Sequence, residues 1–311
     1  MIVRWGLEAL PGVCAEVGLA EPLLVASPRW DLPIAARARW SEVPSQRIDD
    51  AAGQAGGGVI ALGGGSAIDL GKAISAAAGV PLVSVPTTYA GAEWTTYYGV
   101  RDPDRKMRGG GAGAHPAGIV YDATLTLDLP RETTVGTAMN ALAHCAEALY
   151  VQGHNEDADE HALGGARLIA EWLPRVVDAP RDLEARTELL RGACHGGAAL
   201  GGSGLALAHA LAQAIGGRYG LPHGTLNGIC LPPVLRWNAQ WVPEAVQRFT
   251  DVAGDAEQLA ALGGITRLQQ LGVPQEDIPE LAEAAAGRPG NQANPRPATP
   301  AEIEELLRSV W

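Results

Sequence analysis

The chain has 311 residues, 47% of them hydrophobic, enough for two domains or one large one. Its formal net charge of −12 repels nucleic acid and anionic lipid, so neither is expected as a partner. No apolar run reaches the roughly 18 residues that a membrane span needs. The opening Met1-Ile2-Val3-Arg4 lacks the basic-then-apolar pattern of a secretory leader. Cys14, Cys145, Cys194 and Cys230 show no CxxC spacing and read as reduced thiols, so a cytoplasmic protein is expected.

Residues 22–27 form a short apolar run between turn formers, which predicts a buried strand. Similar runs lie at 58–62, 80–85 and 118–121. Strands alternating with helical stretches predict a parallel α/β sheet. Within this part, Leu62-Gly63-Gly64-Gly65-Ser66-Ala67-Ile68-Asp69-Leu70-Gly71-Lys72 leads from a strand into a helix. Glycines there let a phosphate approach the backbone, and the helix start offers free N–H groups. The run is neither GxGxxG nor a Walker loop, and a tight turn capped by Ser66 is the alternative.

A strand at 95–100 enters a stretch with Arg101, Arg105, Lys106 and Arg108, four basic residues in eight. They read either as a solvated hairpin or as a place where Lys106 or Arg108 meets a substrate carboxylate. Leu127-Asp128-Leu129-Pro130 reads as a junction, with a helix starting at Arg131. Beyond it the chain is Ala/Leu-rich with helical spacing, as at 158–173, 182–200, 244–251 and 300–310. Pro174, Pro222, Pro274 and Pro295 are expected to separate the helices, and 287–300 to be a loop.

Asn140 and His144 stand one helical turn apart and share a face. His209 and His223 follow, fourteen residues apart, with a glycine-containing turn between them. Helix-borne residues of this kind can build a site between helices. A lone histidine in an apolar helix is more often a core residue, and His115, His154, His161 and His195 read that way.

Together, Gly63-Gly-Gly-Ser66-Ala-Ile-Asp69, Pro86-Thr87-Thr88-Tyr89-Ala-Gly91, Asn140-Ala-Leu-Ala-His144 and Leu221-Pro-His223-Gly224 resemble the iron-containing alcohol dehydrogenase superfamily. The second and third motifs look most like its maleylacetate reductase branch, while Pro222-His223-Gly224 before Asn227 is similar to the alcohol dehydrogenases. The resemblance implies an α/β dinucleotide-binding domain with a parallel sheet at 1–130 and an all-α domain at 131–311, with the active site in the cleft between them. It implies that Gly63, Gly64, Gly65, Ser66 and Asp69 serve the cofactor, with Thr87, Thr88 and Ser27 along its path. It places Asn140, His144, His209 and His223 at the four metal-ligand positions, for Fe²⁺ or Zn²⁺. Glu147 reads as a structural neighbour of that site, without contact to the metal.

This chain departs from the family pattern. Asn140 replaces an aspartate, which removes an anionic ligand, while the three histidines alone can still hold Zn²⁺. Gln213 stands where many relatives have a histidine, and Gln cannot shuttle a proton. Ser27 stands where NAD-preferring relatives have an acid that repels a 2′-phosphate, so NADPH is allowed beside NADH. The stretch between Ser27 and Gly63 is shorter than in the family.

The expected activity is NAD(P)H-dependent reduction of the enone double bond of maleylacetate, or a related oxo-acid, to 3-oxoadipate. His144, His209, His223, Tyr89 and Lys106 are the catalytic candidates, and the expected assembly is a homodimer. The alternatives are a metal-dependent alcohol dehydrogenase or aldehyde reductase, and a weakened relative that only binds a ligand.

Overall fold

A computed structural model describes residues 1–32, 34–102 and 107–311, so Lys106 lies outside the described residues. The chain divides into two compact units. One is Met1–Thr88 with Ala92–Leu127, and the other is Tyr89–Gly91 with Asp128–Trp311.

The first unit is built on strands β1 (Ile2–Trp5), β2 (Ala20–Val25), β3 (Ala38–Trp40), β4 (Gly56–Gly57), β5 (Val59–Gly63), β6 (Leu82–Pro86), β7 (Tyr97–Arg101), β8 (Met107–Ala112) and β9 (Gly118–Tyr121). The order β1-β9-β6-β5-β2-β3 is parallel throughout, and β4 adds to β2 antiparallel. The hairpin β7–β8 stands apart as its own sheet. Alternate residues of the central strands feed two cores, as the pleat requires. Leu24, Ile60, Leu62, Val83 and Val85 share one face with Leu10 and Val13 of helix α1 (Leu10–Glu16). Leu23, Val25, Val59, Ala61 and Leu82 share the other with Ile68, Leu70 and Ile74. Burial on both faces is why these strands read as unbroken apolar runs.

After the short helix α2 (Ile48–Ala52), helix α3 (Gly65–Ala78) follows directly on β5. A Cβ on Gly71 would lie 2.6 Å from Ala61 Cβ, so glycine lets α3 press onto the sheet. Gly79 ends the helix in the left-handed region (φ 67°), which glycine adopts without strain.

The second unit is helical, with no strand among its described residues. Its main helices are α4 (Arg131–Ala148), α5 (Glu156–Asp178), α6 (Leu183–Gly202), α7 (Leu207–Tyr219) and α8 (His223–Asn238), followed by shorter ones to Pro300–Ser309. Helix α4 is buried along nearly its whole length, and its buried residues are apolar or small except Asn140, His144 and Glu147. Pro174 does not end a helix as expected; α5 runs through it to Asp178. A four-residue helix, Pro289–Gln292, sits inside the expected loop at 287–300. No single helix among the described residues is long and apolar enough to cross a membrane.

Close approach of α6 to α4 fixes the helix that carries Asn140 and His144. A Cβ on Gly196 would stand 2.7 Å from the Ala141 carbonyl oxygen, a backbone atom that cannot swing away. Alanine in place of glycine usually favours a helix by about 0.5–1 kcal/mol. Here the clash reverses the sign, and Gly196→Ala is expected to destabilise by about 1–3 kcal/mol. Chemical denaturation checks this; a variant as stable as the parent contradicts the packing.

Candidate active site

The Gly-rich turn lies where β5 becomes α3. Gly64 is the N-cap residue, extended (φ −78°, ψ −171°) and with no side-chain cap, and Ser66 is already inside the helix. Ser66 therefore does not cap the turn. The first N–H groups of a 14-residue helix are left without intrahelical acceptors. A Cβ on Gly64 would press on Thr88 Cγ2 at 3.0 Å. The Thr87 amide donates to the Gly63 carbonyl at 3.0 Å, while its buried Oγ1 has no partner. Open N–H groups, a positive dipole end and an unpartnered hydroxyl fit a dinucleotide phosphate.

Asp69 faces inward to the protein's own groups. It accepts from the Gly99 amide (3.1 Å) and pairs with buried Lys72 (3.1 Å), which ties the β7–β8 hairpin to α3. This is a bracing role that the motif alone does not disclose. The parallel register sets Val25, two residues before Ser27, opposite Ala61, two residues before Gly63. The Ser27 carbonyl accepts from Arg39 at 2.8 Å, and Arg29 stacks over Trp30 at 4.8 Å. Nothing in the sequence singles out Arg39; only β3 pairing with β2 brings it to Ser27. Arg108 is bound to Asp102 (2.6 Å), so its charge is already matched.

In the second unit, α4, α7 and α8 bring the expected histidines together. The His144 and His209 rings stack with centroids 4.8 Å apart, and those of His209 and His223 lie 5.5 Å apart. Two amides knit the cluster. Asn140 Nδ2 donates to the Ala90 carbonyl (2.8 Å) and lies 3.3 Å from His144 Nε2. Asn227 Nδ2 donates to Asn140 Oδ1 (2.6 Å) and lies 3.1 Å from His223 Nε2. Fully buried Glu147 accepts from the amides of Ala206 (2.7 Å) and His209 (3.2 Å) and faces His209 Nδ1 at 2.7 Å. Two buried ring nitrogens, His144 Nδ1 and His209 Nε2, have no partner in the protein.

The amides and the carboxylate take up part of the cluster, and two ring nitrogens are left open. Among the described residues no group of three or more His, Cys, Asp or Glu is arranged to hold a metal ion. Asn140 Oδ1 is taken by Asn227, and the Nε2 atoms of His144 and His223 each face an amide. The set offers no anionic oxygen from Asn140, but three imidazoles alone can hold Zn²⁺. His144, His209 and His223 are the residues that would hold the expected Fe²⁺ or Zn²⁺ once the amides turn aside.

Tyr89 is fully buried and its hydroxyl accepts from buried Arg186 at 3.2 Å; Arg186 also donates to Thr134 Oγ1 (3.0 Å) and the Pro180 carbonyl (2.9 Å). That placement makes Tyr89 a packed anchor for the segment ahead of Ala90, not an available acid. Cys145 and Cys230 are buried, which pushes both thiols up to about 12 and leaves them unreactive. His161 and His195, read singly as core residues, in fact meet near the surface with Nδ1 atoms 2.9 Å apart.

Burial, with His209 and His223 alongside, holds the His144 ring well below the usual imidazole range. The folded protein thus keeps His144 neutral while the unfolded chain protonates it near 6.5. Its contribution is fully present above about pH 6.5 and is lost as pH falls below that, at up to about 1.4 kcal/mol per pH unit. Unfolding of the parent and of His144→Gln, compared from pH 7.5 to 5.5, should show a shallower acid loss in the variant. Equal slopes would remove His144 as the cause.

The comparisons with known proteins converge. The Fe-containing alcohol dehydrogenase family, C-terminal, matches residues 134–311, and iron-containing alcohol dehydrogenase matches residues 41–123. Maleylacetate reductase 1 of Rhodococcus opacus is 37% identical over 260 residues, covering 81% of this chain and 72% of its own. Maleylacetate reductase of Burkholderia cepacia is 38% identical over 259 residues, covering 81% and 73%. The crystal structure of maleylacetate reductase from Rhizobium sp. strain MTP-10005 matches with a TM-score of 0.88 at 31% identity, covering 100% of this chain and 95% of that one. The chain is an NAD(P)-dependent oxidoreductase that belongs to the iron-containing alcohol dehydrogenase superfamily, in its maleylacetate reductase-like branch.

Proposed function

We propose that the chain reduces the carbon–carbon double bond of maleylacetate, an unsaturated oxo-dicarboxylate, to give 3-oxoadipate. One observation carries this reading beyond the family: a cluster of three imidazoles, held by amides and a carboxylate, that leaves His144 Nδ1 and His209 Nε2 buried and unpartnered. The open α3 N-terminus, Gly64 and Thr87 would hold the dinucleotide phosphates. When bound, the reduced nicotinamide supplies the hydride for the alkene carbon β to the ketone.

Negative charge then develops on the ketone oxygen, and a fixed donor there lowers the barrier. The Asn140 amide N–H facing His144 Nε2 makes Nε2 the acceptor and Nδ1 the protonated nitrogen. His144 Nδ1–H is therefore the donor for that oxygen, and as a neutral ring it keeps its role at neutral pH. Protonation of the carbon next to the ketone completes the reduction. Asn140 serves this chemistry better than a carboxylate, since it adds no negative charge beside an enolate or a dianionic substrate.

Arg29 and Arg39 near Ser27 support use of NADPH as well as NADH. Arg39→Ala is expected to weaken NADP⁺ binding by about tenfold while leaving NAD⁺ within about threefold. Calorimetric titration of both coenzymes checks it; equal losses would remove Arg39 from 2′-phosphate recognition.

The reading itself is tested by nicotinamide oxidation on adding maleylacetate to chelator-treated protein. Turnover that needs no added metal is expected. Turnover that returns only with Zn²⁺ or Fe²⁺ would favour the metal-dependent alcohol dehydrogenase reading. No turnover in either condition would reject maleylacetate as substrate.

A further inference from the structure

Two arginines stand at the C-terminal end of α7, and the protein treats them differently. Arg218 pairs with Asp277 (3.2 Å) and with Glu280 (2.7 Å). Arg288, just after the helix Ile278–Ala286, holds its Nη2 3.7 Å from the place a Cβ on Gly217 would take. Its side chain is half-buried, yet its guanidinium has no hydrogen bond, ion pair or ring contact among the described residues. Partial burial lowers its hold on the proton with no carboxylate to offset it, and a guanidinium stays charged all the same. In a chain of net charge −12, a half-buried cation left unmatched calls for an anion from outside.

The turn that carries Arg288 is fixed against α7. Arg288 is the extended N-cap of Pro289–Gln292, with Pro289 at the first position. Asn291, 1% exposed, donates to the Ala286 and Ala298 carbonyls (3.0 Å each) and accepts from the Ala298 amide (2.9 Å). A Cβ on Gly290 would stand 2.6 Å from the Ala206 carbonyl oxygen, so only glycine lets the turn lie this close. Along α7, Gln213 lies one turn after His209 and one turn before Gly217. Gln213 is half-buried, and its amide has no partner among the described residues. The two turns from His209 to Gly217 span about 12 Å. A dicarboxylate as long as maleylacetate, with a hydrogen bond at either end, is of that order.

We propose that Arg288 binds the substrate carboxylate on the far side of the ketone from the double bond, with the Gln213 amide donating to the same group, and so selects a dianionic substrate; this rests on the reductase reading above. The alkene end has to meet the nicotinamide, which leaves the other carboxylate to reach along α7. A planar guanidinium suits bidentate pairing with it.

Steady-state kinetics of the full chain on two enones test the pairing. One is maleylacetate, and the other is 4-oxopent-2-enoate, which lacks the carboxylate assigned to Arg288. Arg288→Ala is expected to raise KM for maleylacetate by about 30-fold or more, with kcat within about fivefold. Its kcat/KM for 4-oxopent-2-enoate should stay within about threefold of the parent, and Arg288→Lys should recover part of the maleylacetate loss, since it keeps a point charge. Equal losses on both substrates, or an unchanged KM with lowered thermal stability, would overturn the proposal and leave Arg288 a packing residue. Calorimetric titration with 3-oxoadipate in the presence of NADH needs no turnover. The parent should bind it at least about tenfold more tightly than Arg288→Ala does. A parent that binds no 3-oxoadipate, or binds it no better than the variant, overturns the proposal. If maleylacetate is not turned over while 3-oxoadipate binding still depends on Arg288, the reductase reading fails and the carboxylate site stands.

Discussion

Replacing His144 with alanine is expected to lower kcat by about 10²–10³-fold, the cost of removing one fixed donor from an oxyanion. Coenzyme affinity should stay within about threefold, because the proposed phosphate site, Gly64, the start of α3 and Thr87, belongs to the first unit and His144 to the second. The size of the loss follows from preorganisation. His144 is 3% exposed, its Nε2 faces the Asn140 amide, and its ring lies against His209. Its Nδ1–H is thus oriented before substrate arrives. His154 is the control: it is exposed before α5, and its removal should leave turnover unchanged. Steady-state kinetics with maleylacetate, and coenzyme titration by nicotinamide fluorescence, decide the matter. A His144→Ala enzyme within threefold of the parent would refute the donor role.

How much of this can be read from the sequence depends on the reach of each interaction. Four of the six parallel strands are legible because burial on both faces writes an apolar run, and each lies within about two residues of its expected place; β1 and β3 carry no such run. His144, His209 and His223 are legible because their motifs travel together. The partners that give them chemistry are not. Asn227 acts on Asn140 across 87 residues, and Glu147 on His209 across 62; neither pairing has local periodicity. Arg186 reads like any helix arginine until Tyr89, 97 residues away, takes its guanidinium. Pro174 misleads because proline removes only one N–H, and α5 is long enough to lose that bond and continue. The motif puts Asp69 on the cofactor, but the structure gives it to Lys72 and Gly99.

The sharpest consequence concerns Asn140. Asn140→Asp changes one nitrogen to oxygen and adds a negative charge, with almost no change of shape. The new carboxylate could still accept from Asn227 Nδ2, but it would no longer offer an N–H to His144 Nε2 or to the Ala90 carbonyl. His144 would then have a bare Nε2 beside a carboxylate, with His209 and His223 alongside. Three imidazoles and one carboxylate are a good donor set for Zn²⁺. Affinity for Zn²⁺ is expected to rise by about 10²-fold or more, measured by competition with a chromogenic chelator. Metal-free turnover of maleylacetate should fall by at least about 10²-fold, through loss of the oriented His144 donor and repulsion of the enolate. The two effects share one cause, so they should appear together. A variant that binds no more Zn²⁺ than the parent would mean that the amide network is not what keeps the cluster from a cation. A variant with full metal-free activity would mean that the neutral amide is not needed beside the developing charge.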